Sequence, residues 1–118
     1  MRQITRMVAQ AIIFNKSRRI NNTVVSVTDN GYVNVRLHDN LIATVDPDDK
    51  VAFCMCGWPT PTTRERLQAV GVQIAQRKGE QYYIHPNTRE EIKIDDNWVY
   101  QVLSNGDIEK APNPPTEQ

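Results

Sequence analysis

The stretch Gly57-Trp58-Pro59-Thr60-Pro61-Thr62-Thr63-Arg64-Glu65-Arg66-Leu67 gathers hydroxyls and cations where a helix is expected to begin. Thr62 and Glu65 have the spacing of a capping box, in which each side chain bonds the other's backbone N–H. A second frame makes Thr60 the cap and Pro61 the first helical residue. In either frame, unpaired N–H groups and the helix dipole favour an anion. A phosphate-bearing ligand would sit against Thr62, Thr63 and Arg64, with Trp58, Thr60 and Arg66 completing the candidate site. The simpler alternative is that the threonines only cap the helix, Trp58 anchors the loop in the core, and both arginines are solvated. The chain has no Gly-rich phosphate loop of the usual kinds.

Other residues with chemical potential are sparse. His38 closes a strand and His85 precedes Pro86 at a turn, and no serine is placed to pair with either as a nucleophile. Cys54 and Cys56 are the only cysteines. A disulfide between strand residues i and i+2 would be strained, and two thiols without further ligands do not make a zinc site. They are expected to be inert buried thiols, with redox or metal chemistry as the alternative, and their usage suits a reducing compartment. Asp46, Asp48, Asp49, Asp95 and Asp96 fall in turns without a calcium-loop pattern. Tyr82, Tyr83, Trp98 and Tyr100 lie on the last strands beside Arg77 and Lys78. Core or interface packing is expected for them, with base stacking as the alternative. With no catalytic constellation, the chain reads as a binding protein and not an enzyme, and no cofactor or metal is expected.

The elements that must position these residues follow from periodicity. Ile4, Met7, Val8, Ala11 and Ile12 share one helical face, with Arg2 and Arg6 opposite, so residues 2–14 read as an amphipathic helix. From Asn22 the period becomes two. Val25 and Val27, then Val33, Val35 and Leu37, alternate about Asn30-Gly31, which reads as a two-residue turn with positive φ at both positions. Turns at Asp39-Asn40 and at Asp46-Pro47-Asp48-Asp49 bound a third strand, and Val51, Phe53 and Met55 mark a fourth. A short helix over 62–70 should end at Gly71. A hairpin around Lys78-Gly79-Glu80 and weaker strands at 91–94 and 98–103 complete the reading. The fold class is therefore α+β: an antiparallel β-sheet meander with an N-terminal amphipathic helix and a short second helix. Residues 1–103 form a single domain, and 104–118, with Pro112, Pro114 and Pro115, form a flexible tail. Open sheet edges predict a homo-oligomer.

The net charge is zero over 118 residues, so no global field draws the molecule to a polyanion. Locally, no acid precedes Asp29, while Arg2, Arg6, Lys16, Arg18 and Arg19 do. A solvated helix face is expected, and a nucleic-acid contact is the alternative. No apolar run approaches the length of a membrane span, and Ala11 to Phe14 is too short for a signal-peptide core, so no membrane partner is expected.

Asn22-Thr23, the segment Leu37-His38-Asp39-Asn40-Leu41-Ile42-Ala43 and the Gly57–Leu67 stretch together resemble a widespread family of small tailed-bacteriophage proteins. Its members pair an Asn-Thr start with Leu-His-Gly-Asn and with Gly-Trp-x-Thr-x-Thr-Thr-Arg-x-Arg-Leu-Asn. Asp39 stands where the pattern has Gly, and Gln68 where it has Asn. The resemblance implies a phage or prophage origin and an accessory, non-virion role in the host cytoplasm, and it supplies no catalytic residues. The resulting expectation is a host–virus interaction protein, an anti-defence inhibitor or sponge. Its partner would be a phosphate-bearing molecule such as a nucleotide signal, or a host protein. A nucleic-acid-binding protein using the basic N-terminal helix is the alternative.

Overall fold

The computed structural model describes residues 3–111, with side chains from Arg6 onward. The expectations for Arg2, for the Ile4 side chain and for residues 112–118 lie outside the described residues.

Helix α1 (Gln3–Ile13) turns the expected face inward: Val8 and Ala11 are buried, Met7 and Ile12 pack against the core, and Arg6 faces solvent. Five strands follow, β1 (Arg18–Ile20), β2 (Thr23–Val27), β3 (Val33–Leu37), β4 (Asn40–Val45) and β5 (Val51–Cys54). Helix α2 (Pro61–Leu67) runs into a 3₁₀ turn, Gln68–Val70, and Gly71 ends it at φ 81°. The chain then forms β6 (Ile74–Arg77), β7 (Glu80–Ile84), β8 (Glu91–Ile94), β9 (Val99–Val102) and β10 (Ile108–Lys110). The fold is α+β, as the alternation requires, with every described pairing antiparallel. The expected meander is the centre of a seven-stranded sheet ordered β1-β2-β3-β4-β5-β9-β10, while β6-β7-β8 make a separate three-stranded sheet. Phe53 joins the two, with its ring 5.8 Å from those of both Tyr83 and Tyr100. Among the described residues, no helix is long and apolar enough to cross a membrane.

Two local expectations change. At Asn30-Gly31 only the glycine is left-handed (φ 88°). The Thr28 carbonyl accepts the Gly31 N–H, and the Thr28 N–H donates to Tyr32 O, so the loop is three residues long. The cause is the Thr28 hydroxyl, which donates to Asn30 Oδ1 and accepts the Tyr32 N–H, fixing a turn closed by one left-handed residue. The turns with both residues left-handed are His38-Asp39 (φ 50° and 68°) and Lys78-Gly79 (φ 52° and 81°), joining β3 to β4 and β6 to β7. The tail boundary also moves. Residues 105–107 form a turn about Gly106 and β10 pairs with β9, so the sheet continues past residue 103. Polar turn residues there imitate the composition of a tail.

Candidate functional site

Helix α2 starts in the second of the two frames. Thr60 is extended (φ −94°, ψ 160°), its Oγ1 accepts the Thr63 N–H at 3.2 Å, and Pro61 opens the helix. The Thr60 and Thr63 hydroxyls also bond each other at 3.0 Å. The Thr62–Glu65 pair is not the cap. Upstream, Cys56 (φ 56°) and Gly57 (φ 73°) are consecutive left-handed residues that swing the chain off the end of β5. Trp58 is therefore 62% exposed and does not anchor the loop in the core. Its backbone stays fixed, because its N–H donates to Met55 O and its carbonyl accepts the Thr60 N–H.

The indole borders a cleft of about 430 Å³. Leu37, Ile42 and Met55 supply its buried apolar part, His38 and Asn40 come from the β3–β4 turn, and Thr60, Thr62 and Thr63 come from the start of α2. Ile42 reaches the cleft through a bulge. Val35 pairs with Ala43 and Arg36 with Leu41, leaving Ile42 as the extra residue on β4, so that Ile42 and Ala43 are both buried.

Of the six site residues expected from sequence, the cleft gathers Trp58, Thr60, Thr62 and Thr63. Neither arginine lines it. Arg64 Nη1 donates to Pro59 O, Gln76 Oε1 and Gln81 Oε1, each at 3.0 Å, and so ties the loop to the smaller sheet. Arg66 is only 2% exposed, and its Nε donates to Thr23 Oγ1 at 3.0 Å. Neither the ligand-binding role expected for both nor the solvated alternative describes these positions. A buried guanidinium is tolerated only with hydrogen-bond partners, and Thr23 is one that lies too far off in sequence to be foreseen.

From Arg66 a directed hydrogen-bond chain runs to the cleft. An arginine only donates, so Thr23 Oγ1 accepts and sends its own proton to Asn22 Oδ1 (3.1 Å). That orients the Asn22 amide, whose Nδ2 faces His38 Nε2 at 3.4 Å. His38 Nε2 then accepts, which leaves Nδ1 as the protonated ring nitrogen. Asn22, Thr23, Leu37, His38, Asn40, Ile42 and Met55 were not among the site residues foreseen. The segments carrying the family resemblance contain all of them but Met55, yet periodicity alone gave no reason to place them together.

Elsewhere, buried His85 accepts the Asn87 and Thr88 N–H groups at Nδ1 and meets Asp107 Oδ1 with Nε2 at 2.9 Å. Nδ1 therefore holds the β7–β8 loop, and Nε2 ties that loop to the β9–β10 turn. Tyr83 OH donates to Gly106 O at 2.7 Å in the same lock, and burial pushes its phenol above the ordinary tyrosine range.

Fold and cleft define a small α+β protein with an aromatic-walled cleft built on the loop between a sheet and a capped helix. Residues 1–107 match the family described as Kyanoviridae Gp96 protein, and the chain belongs to that family of phage proteins of uncharacterised function. No curated protein and no solved structure matches the chain.

Proposed function

We propose that this phage protein is an accessory binding protein whose ligand enters the Trp58 cleft. The observation that supports this most is convergence. Three segments far apart in sequence, Asn22-Thr23, Leu37 to Ile42 and Trp58 to Arg66, meet at one cleft through the Arg66–Thr23–Asn22–His38 chain. Its volume suits a small molecule. An exposed indole over an apolar floor favours a flat ring, and the hydroxyls of Thr60 and Thr62 with the Asn40 amide favour a polar substituent.

A nucleotide signal of the infected host has both features, and sequestering it in the host cytoplasm is the anti-defence role we favour. Since neither Arg64 nor Arg66 lines the cleft, the ring supplies most of the affinity and the phosphate meets hydroxyls. Calorimetry against linear and cyclic nucleotides tests this: saturable binding that Trp58→Ala weakens supports it, and no binding of any member refutes it.

A second reading rests on a different surface. Ile13 and Phe14 are 72% and 67% exposed, next to exposed Lys16, Arg18 and Arg19. An aromatic ring among cations suits single-stranded nucleic acid. Binding of an oligonucleotide that falls steeply with salt and is lost in Phe14→Ala would favour this reading.

A further inference from the structure

We propose that Cys54 and Cys56 form a two-thiolate site for a soft monovalent metal ion of the Cu(I) type. Along a regular strand, thiols at i and i+2 would stand apart on one face. Here Cys56 leaves the strand in the left-handed region (φ 56°), and the chain folds back. Its N–H donates to Cys54 Sγ at 2.9 Å, which brings the two residues together at the end of the strand. Cys56 Sγ also donates to Leu41 O at 3.1 Å, which holds it at the end of β5. Cys54 is 5% exposed, while Cys56 is only half-buried and gives the approach.

The donor set selects the ion. Among the described residues, no group of three or more His, Cys, Asp or Glu side chains is placed to hold a metal. Zinc requires four ligands in a structural site and three in a catalytic one. Thiolates select soft ions such as Cu(I). On binding, both S–H protons leave to solvent, two sulfur–metal bonds form, and nothing is oxidised or reduced. The site lies directly before Gly57 and Trp58, so an occupied pair would brace the loop that carries the indole.

The test is anaerobic transfer of Cu(I) from its bicinchoninate complex to the full chain, with melting temperatures recorded for wild type, Cys54→Ser and Cys56→Ser. One equivalent should transfer to wild type. Altering a residue that only supports a metal site costs about 10–100-fold in affinity, so loss of a true ligand should cost more than about 100-fold. Cys56→Ser, at the half-buried position, should do so while still melting cooperatively. No transfer to wild type, a loss below that threshold in a folded variant, or equimolar retention of Zn(II) would overturn the proposal.

Discussion

Arg66 Nε lies 3.0 Å from Thr23 Oγ1, a bond across 43 positions of sequence between side chains 2% and 0% exposed. It fastens α2 to the first strand of the meander beneath the Trp58 cleft. Because the guanidinium can only donate, it also sets the direction of every bond from Thr23 to His38.

Thr23→Val tests that role. It keeps the shape of the side chain and removes one acceptor of a buried cation, so it should cost about 1–3 kcal/mol in urea unfolding. It also frees the Asn22 amide, so ligand binding at the cleft should weaken beyond what the stability loss explains. Stability within about 0.5 kcal/mol of wild type, the usual range of an unimportant substitution, would show that the bond carries little.

Arg64→Glu should lower the melting temperature. An exposed arginine could be reversed with little effect, but Arg64 bonds Pro59, Gln76 and Gln81 together. A carboxylate placed there accepts where three acceptors already converge. Unchanged melting would return Arg64 to the status of a solvated cation and reopen it as a ligand-binding charge.

Gly31→Val should destabilise the protein by about 1–2 kcal/mol, the cost of a left-handed backbone for a residue with a Cβ. Gly31 sits at φ 88°, and a Cβ there would lie 3.3 Å from Pro47 Cγ. Asn30→Ala should be milder, since Asn30 is not left-handed. Equal losses at the two positions, read by urea unfolding, would contradict the three-residue loop.

These cases show what the sequence could report. Alternation at Val25, Val35 and Phe53 placed the central strands, and Gly71 placed the end of the second helix, because each signal is local. The handedness of Asn30 was misread because a hydroxyl two residues away decides it. The bulge at Ile42 leaves no mark on composition, yet it brings that side chain to the cleft. A core position for Trp58 was the alternative to its place in the candidate site, and the left-handed pair Cys56-Gly57 puts it outside. Arg66 was expected outside on charge, and a threonine 43 residues away lets it stay inside.

Tyr83 gives a pH signature. Its folded pKa is raised above the unfolded value by burial and by the charge of Asp107. The phenol's contribution is therefore fully present below about pH 10, the ordinary tyrosine value, and is lost as pH rises through the higher folded value. Tyr83→Phe removes the bond to Gly106 O and should cost about 1 kcal/mol at neutral pH. The gap to wild type should close in alkaline urea titrations; a gap that stays constant to pH 11 would contradict the assignment.

The open sheet edges predict self-association. β1 and β10 each pair on one side only within the described residues. Arg18 and Arg19 give β1 like charge, whereas Glu109 and Lys110 give β10 one of each sign, which two copies can pair, so β10 is the better of these two edges for a second copy. A dimer mass by light scattering at micromolar concentration is expected, and a monomer at that concentration would remove the proposal.

The most direct test of the cleft is isothermal calorimetry of wild type and Trp58→Ala against a panel of linear and cyclic nucleotides. Trp58 is exposed, so its removal should leave the melting temperature nearly unchanged. Stacking of a base on an aromatic side chain is worth about 1–3 kcal/mol, and the variant should lose that much binding free energy for the nucleotide that wild type retains. Failure of wild type to bind any of them, or equal affinity in Trp58→Ala, would contradict the account.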